Sequence, residues 1–259
     1  MALCPFNPTS EDFADFIFNY SSRNVPPAAD LLGSSACTEY ITQNFAVFYV
    51  PLKDILPISL EKYAYYSIPN LFTLLDTSSM ESAGITATFN TPALANKGRG
   101  TIIGFLDTGI DYTNPLFRNA NGTTRILGIW DQTLPEDTSE LPPGVPDYYP
   151  MSGISYGTEY TEEQINEALA SENPLELVPS RDTNGHGTFL AGIAAGGTLA
   201  DDSFTGAAPL CKLLVVKLKQ AKRYLRDYYL VPENAQAFQE NDIMMGIKYL
   251  RVMAHRYRM

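Results

Sequence analysis

Two glycine-framed segments constrain this chain more than any other feature. In the first, residues 101–106 form an apolar run that delivers an acid, Asp107, followed by Thr108 and Gly109. The run reads as a strand with the acid at its carboxyl end, where open α/β sheets place their chemistry. Gly109 then lets the backbone turn away sharply. The second segment, Asp182-Thr183-Asn184-Gly185-His186-Gly187-Thr188, reads as a loop running into a helix with His186 at the junction. Phe189, Leu190 and Ile193 are expected to supply the apolar face of that helix. Gly185, Gly187, Ala191 and Gly192 are small enough for close packing against a sheet, and Gly196 and Gly197 end the helix.

At these residues the chain resembles the subtilisin-like serine proteases. Asp107-Thr108-Gly109-Ile110-Asp111 is similar to the family's aspartate motif, and His186-Gly187-Thr188 to its histidine motif. Gly206-Ala207-Ala208-Pro209 matches the turn before the next family strand, here residues 212–217. The wording of Ile129-Trp130-Asp131-Gln132-Thr133 and Tyr156-Gly157-Thr158-Glu159-Tyr160 resembles most the clostridial branch that includes the spore-germination proteases. The resemblance implies an α/β fold: an incomplete subtilisin-like parallel sheet flanked by helices, preceded by a small α+β propeptide-like domain.

The chemistry explains the residue types. A serine hydroxyl is a poor nucleophile until a neutral imidazole takes its proton, and a buried carboxylate on the other ring nitrogen must hold that imidazole in the right tautomer. By resemblance, His186 is the general base and later the general acid, Asp107 is its orienting partner, and Asn184 lies one layer behind the histidine. The order Asp, His, Ser is the subtilisin order among unrelated triads. Downstream of His186 the only serine is Ser203, in a polar loop that lacks the Gly-Thr-Ser setting of the family's nucleophile. The nucleophile, and the side-chain amide of the oxyanion hole, are therefore expected outside this chain, which alone is expected to be inactive. The alternative is a non-catalytic pseudoprotease that binds or regulates a partner protein, with spore germination as a setting.

Composition narrows the partners. A net charge of -11 argues against nucleic acid or an anionic membrane, because phosphate contacts need clustered Lys and Arg. The expected partners are a peptide or protein substrate and the missing carboxyl-terminal half of the catalytic domain. Cys4, Cys37 and Cys211 are odd in number and widely spaced, so reduced thiols are expected and no zinc site is suggested. Many relatives bind calcium just beyond the aspartate motif, but Asn114-Pro115-Leu116-Phe117-Arg118 lacks the hard-oxygen ligand. No cofactor and no metal are expected. The acid pairs Glu136-Asp137 and Asp201-Asp202 read as solvated loops. No signal peptide or transmembrane segment is seen, so a cytoplasmic or spore-associated location is expected.

The organisation follows from patterning. Residues 14–20 and 45–50 are rich in Phe, Ile, Val and Tyr and read as strands, with a further apolar run at 71–75. Residues 1–77 form the propeptide-like α+β domain by position in the family, and 78–100 read as a linker with its own capping-box spacing at Ser78 to Glu81. Residues 101–259 form the amino-terminal half of the catalytic domain, with a proline-rich insertion at about 131–182. Inside that insertion, Thr161-Glu162-Glu163-Gln164 has capping-box spacing and predicts a short helix to about Ala170. Ile243, Ile247, Leu250 and Ala254 predict an amphipathic helix over 242–254 that covers one sheet face, with His255 solvated at its end.

Overall fold

The computed structural model describes residues 7–19, 37–59, 63, 65–72, 97–134, 156–198 and 204–257. In chain order its strands are β1 (Phe13–Asn19), β2 (Cys37–Tyr40), β3 (Phe45–Pro51), β4 (Leu71–Phe72), β5 (Ile102–Asp107), β6 (Ile126–Asp131), β7 (Thr158–Thr161), β8 (Lys212–Lys217) and β9 (Phe238–Gln239). Its α-helices are α1 (Glu162–Ala170), α2 (Pro174–Leu177), α3 (His186–Ala195), α4 (Arg223–Tyr228) and α5 (Glu240–Arg256). The chain separates into two compact units. Met1–Thr73, Pro135–Gly157 and Lys219–Lys248 make one, and Leu74–Leu134, Thr158–Leu218 and Tyr249–Met259 make the other.

In the first unit, β1, β3 and β2 form an antiparallel sheet in the order β1-β3-β2, with Phe13 opposite Pro51 and Asn19 opposite Phe45. The aromatic and β-branched residues of these runs suit a pleated, half-buried surface. Ala14, Phe16 and Val50 pack with Ile55, Tyr63 and Ile68 against Tyr224 and Leu225 of α4. Asp15 points to the other face, because successive strand residues alternate. There it is 1% exposed and ion-pairs with Lys222, while Gln239 Nε2 and Asn241 Nδ2 donate to its second oxygen at 2.9 and 3.0 Å. Lys219 Nζ meets Asp242 Oδ2 at 2.6 Å, and the Tyr156 hydroxyl donates to Asp242 at 2.9 Å. Buried charge is tolerated only with such partners. The bonds to Asp15 tie Lys222, Gln239 and Asn241, which follow the two glycine-framed segments in sequence, to β1.

The second unit holds a four-stranded sheet in the order β5-β8-β6-β7, with β5, β8 and β6 parallel and β7 antiparallel to β6. It is the mixed α/β architecture with a parallel-containing sheet that the resemblance implies. On one face, Ile103 and Phe105 join Leu213, Val215, Ile126 and Ile129 against Ile165 and Ala168 of α1 and Ala191 and Ala195 of α3. On the other, Gly104 and Gly128 lie beneath the last turns of α5. A Cβ at Gly104 would come within 2.7 Å of Leu250, and one at Gly128 within 2.8 Å of the Tyr249 hydroxyl. The helix lies on the sheet because these two positions carry no side chain.

Several local expectations hold. β5 and β8 fall where the apolar runs predict, and α1 begins on a complete capping box: Thr161 accepts from the Gln164 amide, and the Gln164 side chain accepts from the Thr161 amide. Two helix faces differ from expectation. In α3 the buried residues are Gly187, Ala191, Gly192 and Ala195, whereas Phe189 is 50% exposed. At Gly187 the helix approaches the end of β5 too closely for any side chain, since a Cβ there would fall 2.2 Å from the Gly109 carbonyl oxygen, and this sets the small-residue face inward. In α5, Ile247 is 55% exposed and the inward line is Met245, Tyr249 and Met253. Cys37 is disulfide-bonded, which corrects the expectation of reduced thiols, while Cys211 is free and buried. Sequence spacing does not reveal which cysteines a fold brings within about 6 Å. Residues 78–96 of the expected linker, together with Ser203, Glu136-Asp137 and Asp201-Asp202, lie outside the described residues. Among the described residues, no helix is long and apolar enough to cross a membrane.

Candidate active site

The three parallel strands end level with one another. Asp107 on β5 stands opposite Lys217 on β8, and Lys217 stands opposite Asp131 on β6. The backbone carbonyl of Asp107 accepts from the Leu218 amide at 2.8 Å, which extends the ladder one step past the strands. Gly109 then turns the chain at φ +117°, a conformation that side-chain-bearing residues rarely adopt. A Cβ there would also press on Lys217 and on the Arg181 carbonyl, at 3.1 and 3.2 Å.

His186 is the first residue of α3, entered through Gly185 at φ +88°. The leading N–H groups of a helix lack partners within it, and here side chains of both segments supply them. Asn184 Oδ1 accepts from His186 N at 3.2 Å, Thr108 Oγ1 from Gly187 N at 3.0 Å, and Asp182 Oδ2 from Thr188 N at 2.8 Å. The helix start sits directly on the β5 turn. A Cβ at Gly187 would fall 2.2 Å from the Gly109 carbonyl oxygen and 3.1 Å from Asp107 Cβ.

This packing brings the two predicted residues together. His186 Nδ1 lies 2.8 Å from Asp107 Oδ1 and 3.0 Å from Oδ2. The two side chains are 17% and 9% exposed, so the contact is shielded from solvent without being sealed. Asp107 Oδ1 also accepts from the Thr108 amide at 2.7 Å, which fixes the carboxylate against its own turn. An ionised carboxylate can only accept, so in the neutral form of the imidazole this contact places the proton on Nδ1. Nε2 is then the ring nitrogen able to take one from a hydroxyl. Such a pair orients and polarises a general base.

Asn184 reaches His186 through the backbone, holding the loop that presents the ring. Asp111 accepts from the amide and hydroxyl of Thr113 at 3.0 and 2.6 Å, and so shapes its own turn. In the stretch beyond the aspartate motif, Asn114 Oδ1 caps a short 3-10 turn by accepting from Leu116 N at 3.0 Å. Among the described residues, no group of three or more His, Cys, Asp or Glu side chains is placed to hold a metal. His255 is exposed in the last turn of α5.

Two carboxylates gain roles that the sequence did not advertise. Asp131 is fully buried, pairs with Lys217 Nζ at 3.1 Å, and accepts from the Ser180 hydroxyl at 2.7 Å. It answers the one cation standing next to Asp107 in the sheet register. Asp182, which reads in sequence as the end of an insertion, accepts from both segments of the site. Burial pushes its carboxyl up, but hydrogen bonds from Thr188, Gly185 and Thr108 outweigh this and hold it below the ordinary carboxylate value. The only signal available was its place four residues before a histidine among glycines.

The model of the subtilase family, peptidase S8, matches residues 98–243, more than half of the chain. The structure of the Clostridium perfringens CspB protease is similar at 31% identity and a TM-score of 0.49, covering 67% of this chain and 29% of that one. This chain thus spans less than a third of that protein's length. A search of curated proteins gives no match. With the family model spanning the aspartate segment, the histidine segment and the strand that follows them, the chain belongs to the subtilase family.

Proposed function

We propose that this chain is the amino-terminal portion of a subtilisin-like serine endopeptidase. The observation that carries the reading is the 2.8 Å contact between His186 Nδ1 and Asp107. In the complete enzyme His186 Nε2 takes the proton of the serine hydroxyl as its oxygen attacks the peptide carbonyl. It then gives that proton to the leaving amine, and Asp107 stabilises the imidazolium in between. The serine and the oxyanion-hole amide come from sequence outside this chain, and the substrate is a peptide or protein. Losing the nucleophile costs on the order of 10⁶ in turnover in subtilisin itself. By itself the chain is therefore inactive. An intact Asp107–His186 contact favours this over a pure binding role, which has no use for an oriented imidazole.

Three measurements test the reading. The isolated chain should show no specific labelling by a serine-directed fluorophosphonate; labelling of one serine in this chain would sink the inactivity. The sequence downstream of Met259 should encode a Gly-Thr-Ser segment in some frame. The chain joined to it should hydrolyse a fluorogenic peptide and lose that activity on His186→Ala. Turnover unaffected by His186→Ala would refute the assignment.

A further inference from the structure

Two threonine hydroxyls join the glycine-framed segments, and both converge on one carboxylate. Thr108 Oγ1 donates to Asp182 Oδ1 at 2.8 Å and accepts from the Gly187 amide at 3.0 Å. Thr188 Oγ1 donates to Asp182 Oδ2 at 2.7 Å and accepts from the Asp111 amide at 2.9 Å. Each hydroxyl belongs to one segment and takes an amide of the other, so the bonding is reciprocal. Thr108 follows Asp107 directly, and Gly187 follows His186 directly.

A hydroxyl has one proton and two lone pairs. With its proton committed to Asp182, each hydroxyl turns its lone pairs toward the opposing amide, so the carboxylate fixes the direction of both cross-links. The amides of Asn184, Gly185 and Thr188 also donate to Asp182, which ties it to the loop that presents His186. Thr108 Oγ1 lies farther from Asp107 Oδ1, at 3.2 Å, than from Asp182. Its proton therefore goes to Asp182, and Asp107 is left to serve the imidazole.

We propose that Asp182 is a positioning residue for the Asp107–His186 pair. Through Thr108 and Thr188 it clasps the strand end to the helix start, and so sets the separation and facing of carboxylate and imidazole. The proposal rests on the reading of His186 as a general base and deepens it. Without the clasp, two short turns would carry the pair independently. A displacement of a few tenths of an ångström at Gly187 or Thr108 passes to the reacting side chains through one peptide unit, and positioning errors of that kind are costly in catalysis.

Because the chain has only two histidines, His186 and His255, the test is spectroscopic and independent of turnover. The full chain is labelled with ¹⁵N-histidine, His255→Gln assigns the signals, and the exposed His255 serves as internal reference. The wild type should show a downfield, slowly exchanging Nδ1 proton on His186 that Asp107→Asn abolishes. Asp182→Ala and Thr108→Val should lose that proton and convert the ring to a mixture of tautomers, while Thr108→Ser retains it and His255 does not change. If Asp182→Ala fails to fold, the Thr108→Val and Thr108→Ser pair decides. Retention of the signal in Thr108→Val, or its loss in Thr108→Ser, overturns the clasp while leaving the Asp107–His186 reading in place. Absence of an Asp107-dependent proton in the wild type overturns both.

Discussion

Two glycines in one helix should respond to alanine with opposite signs. At Gly187 an added Cβ would lie 2.2 Å from the Gly109 carbonyl oxygen, with the Gly109 amide and Asp107 Cβ both at 3.1 Å. Atoms of this size pack at about 3.5 Å, and the obstacle is backbone rather than a side chain that can rotate. The β5 turn and the start of α3 must therefore separate by roughly 1 Å, and we predict an overpacking cost of about 1–3 kcal/mol. At Gly192, five residues along, a Cβ meets nothing within 4 Å. There alanine removes only the entropic penalty of a helical glycine and should stabilise by about 0.5–1 kcal/mol. With a urea slope of about 2 kcal/mol/M, the two midpoints should separate by about 1–2 M, Gly187→Ala below the wild type and Gly192→Ala above it. The single tryptophan, Trp130, is buried on β6 in the same unit, so its fluorescence reports the unfolding that matters. A Gly187→Ala midpoint equal to or above that of Gly192→Ala would refute the argument that close backbone approach, and not chain flexibility, requires glycine beside the histidine.

Other perturbations probe the two units separately. Thr161→Ala removes the hydroxyl half of the α1 capping box and should cost about 1 kcal/mol in urea or thermal unfolding, while Thr161→Ser stays near wild type; equal losses in both would point to packing instead of the cap. Lys248 gives a pH prediction. Burial pushes its ammonium down to about 8, below the value near 10.4 of an unfolded lysine, with the Glu39 carboxylate opposing the shift. Because the folded state releases this proton first, the cost of burying the charge is fully present below pH 8 and is relieved as pH rises toward 10. Stability should therefore climb by up to about 3 kcal/mol over that window, and Lys248→Met should flatten the climb. Buried tyrosines such as Tyr49 and Tyr224, pushed up chiefly by burial, turn the curve down at higher pH. A flat wild-type profile between pH 8 and 10 would count against the assignment.

What could be read from the sequence alone was local. The apolar runs before Asp107 and at β8, the capping box of α1 and the glycines around His186 all act through neighbours within a few residues. Their signatures survive in the linear order, and by family resemblance they pointed to Asp107 and His186, the pair that the structure brings into contact. Tertiary structure decided what depends on distant partners. Asp182 matters because Thr108, 74 positions earlier, meets it across a turn. Asp131 is a fully buried charge because Lys217, 86 positions later, reaches it from the next strand. Likewise α3 turns its glycines and alanines inward where periodicity favoured Phe189, because the distance to the sheet, set by the whole unit, outranks the hydrophobicity of any one residue. Chain-local chemistry marked Asp107 and His186 as candidates; the burial of polar groups far apart in the chain decided how those groups are held.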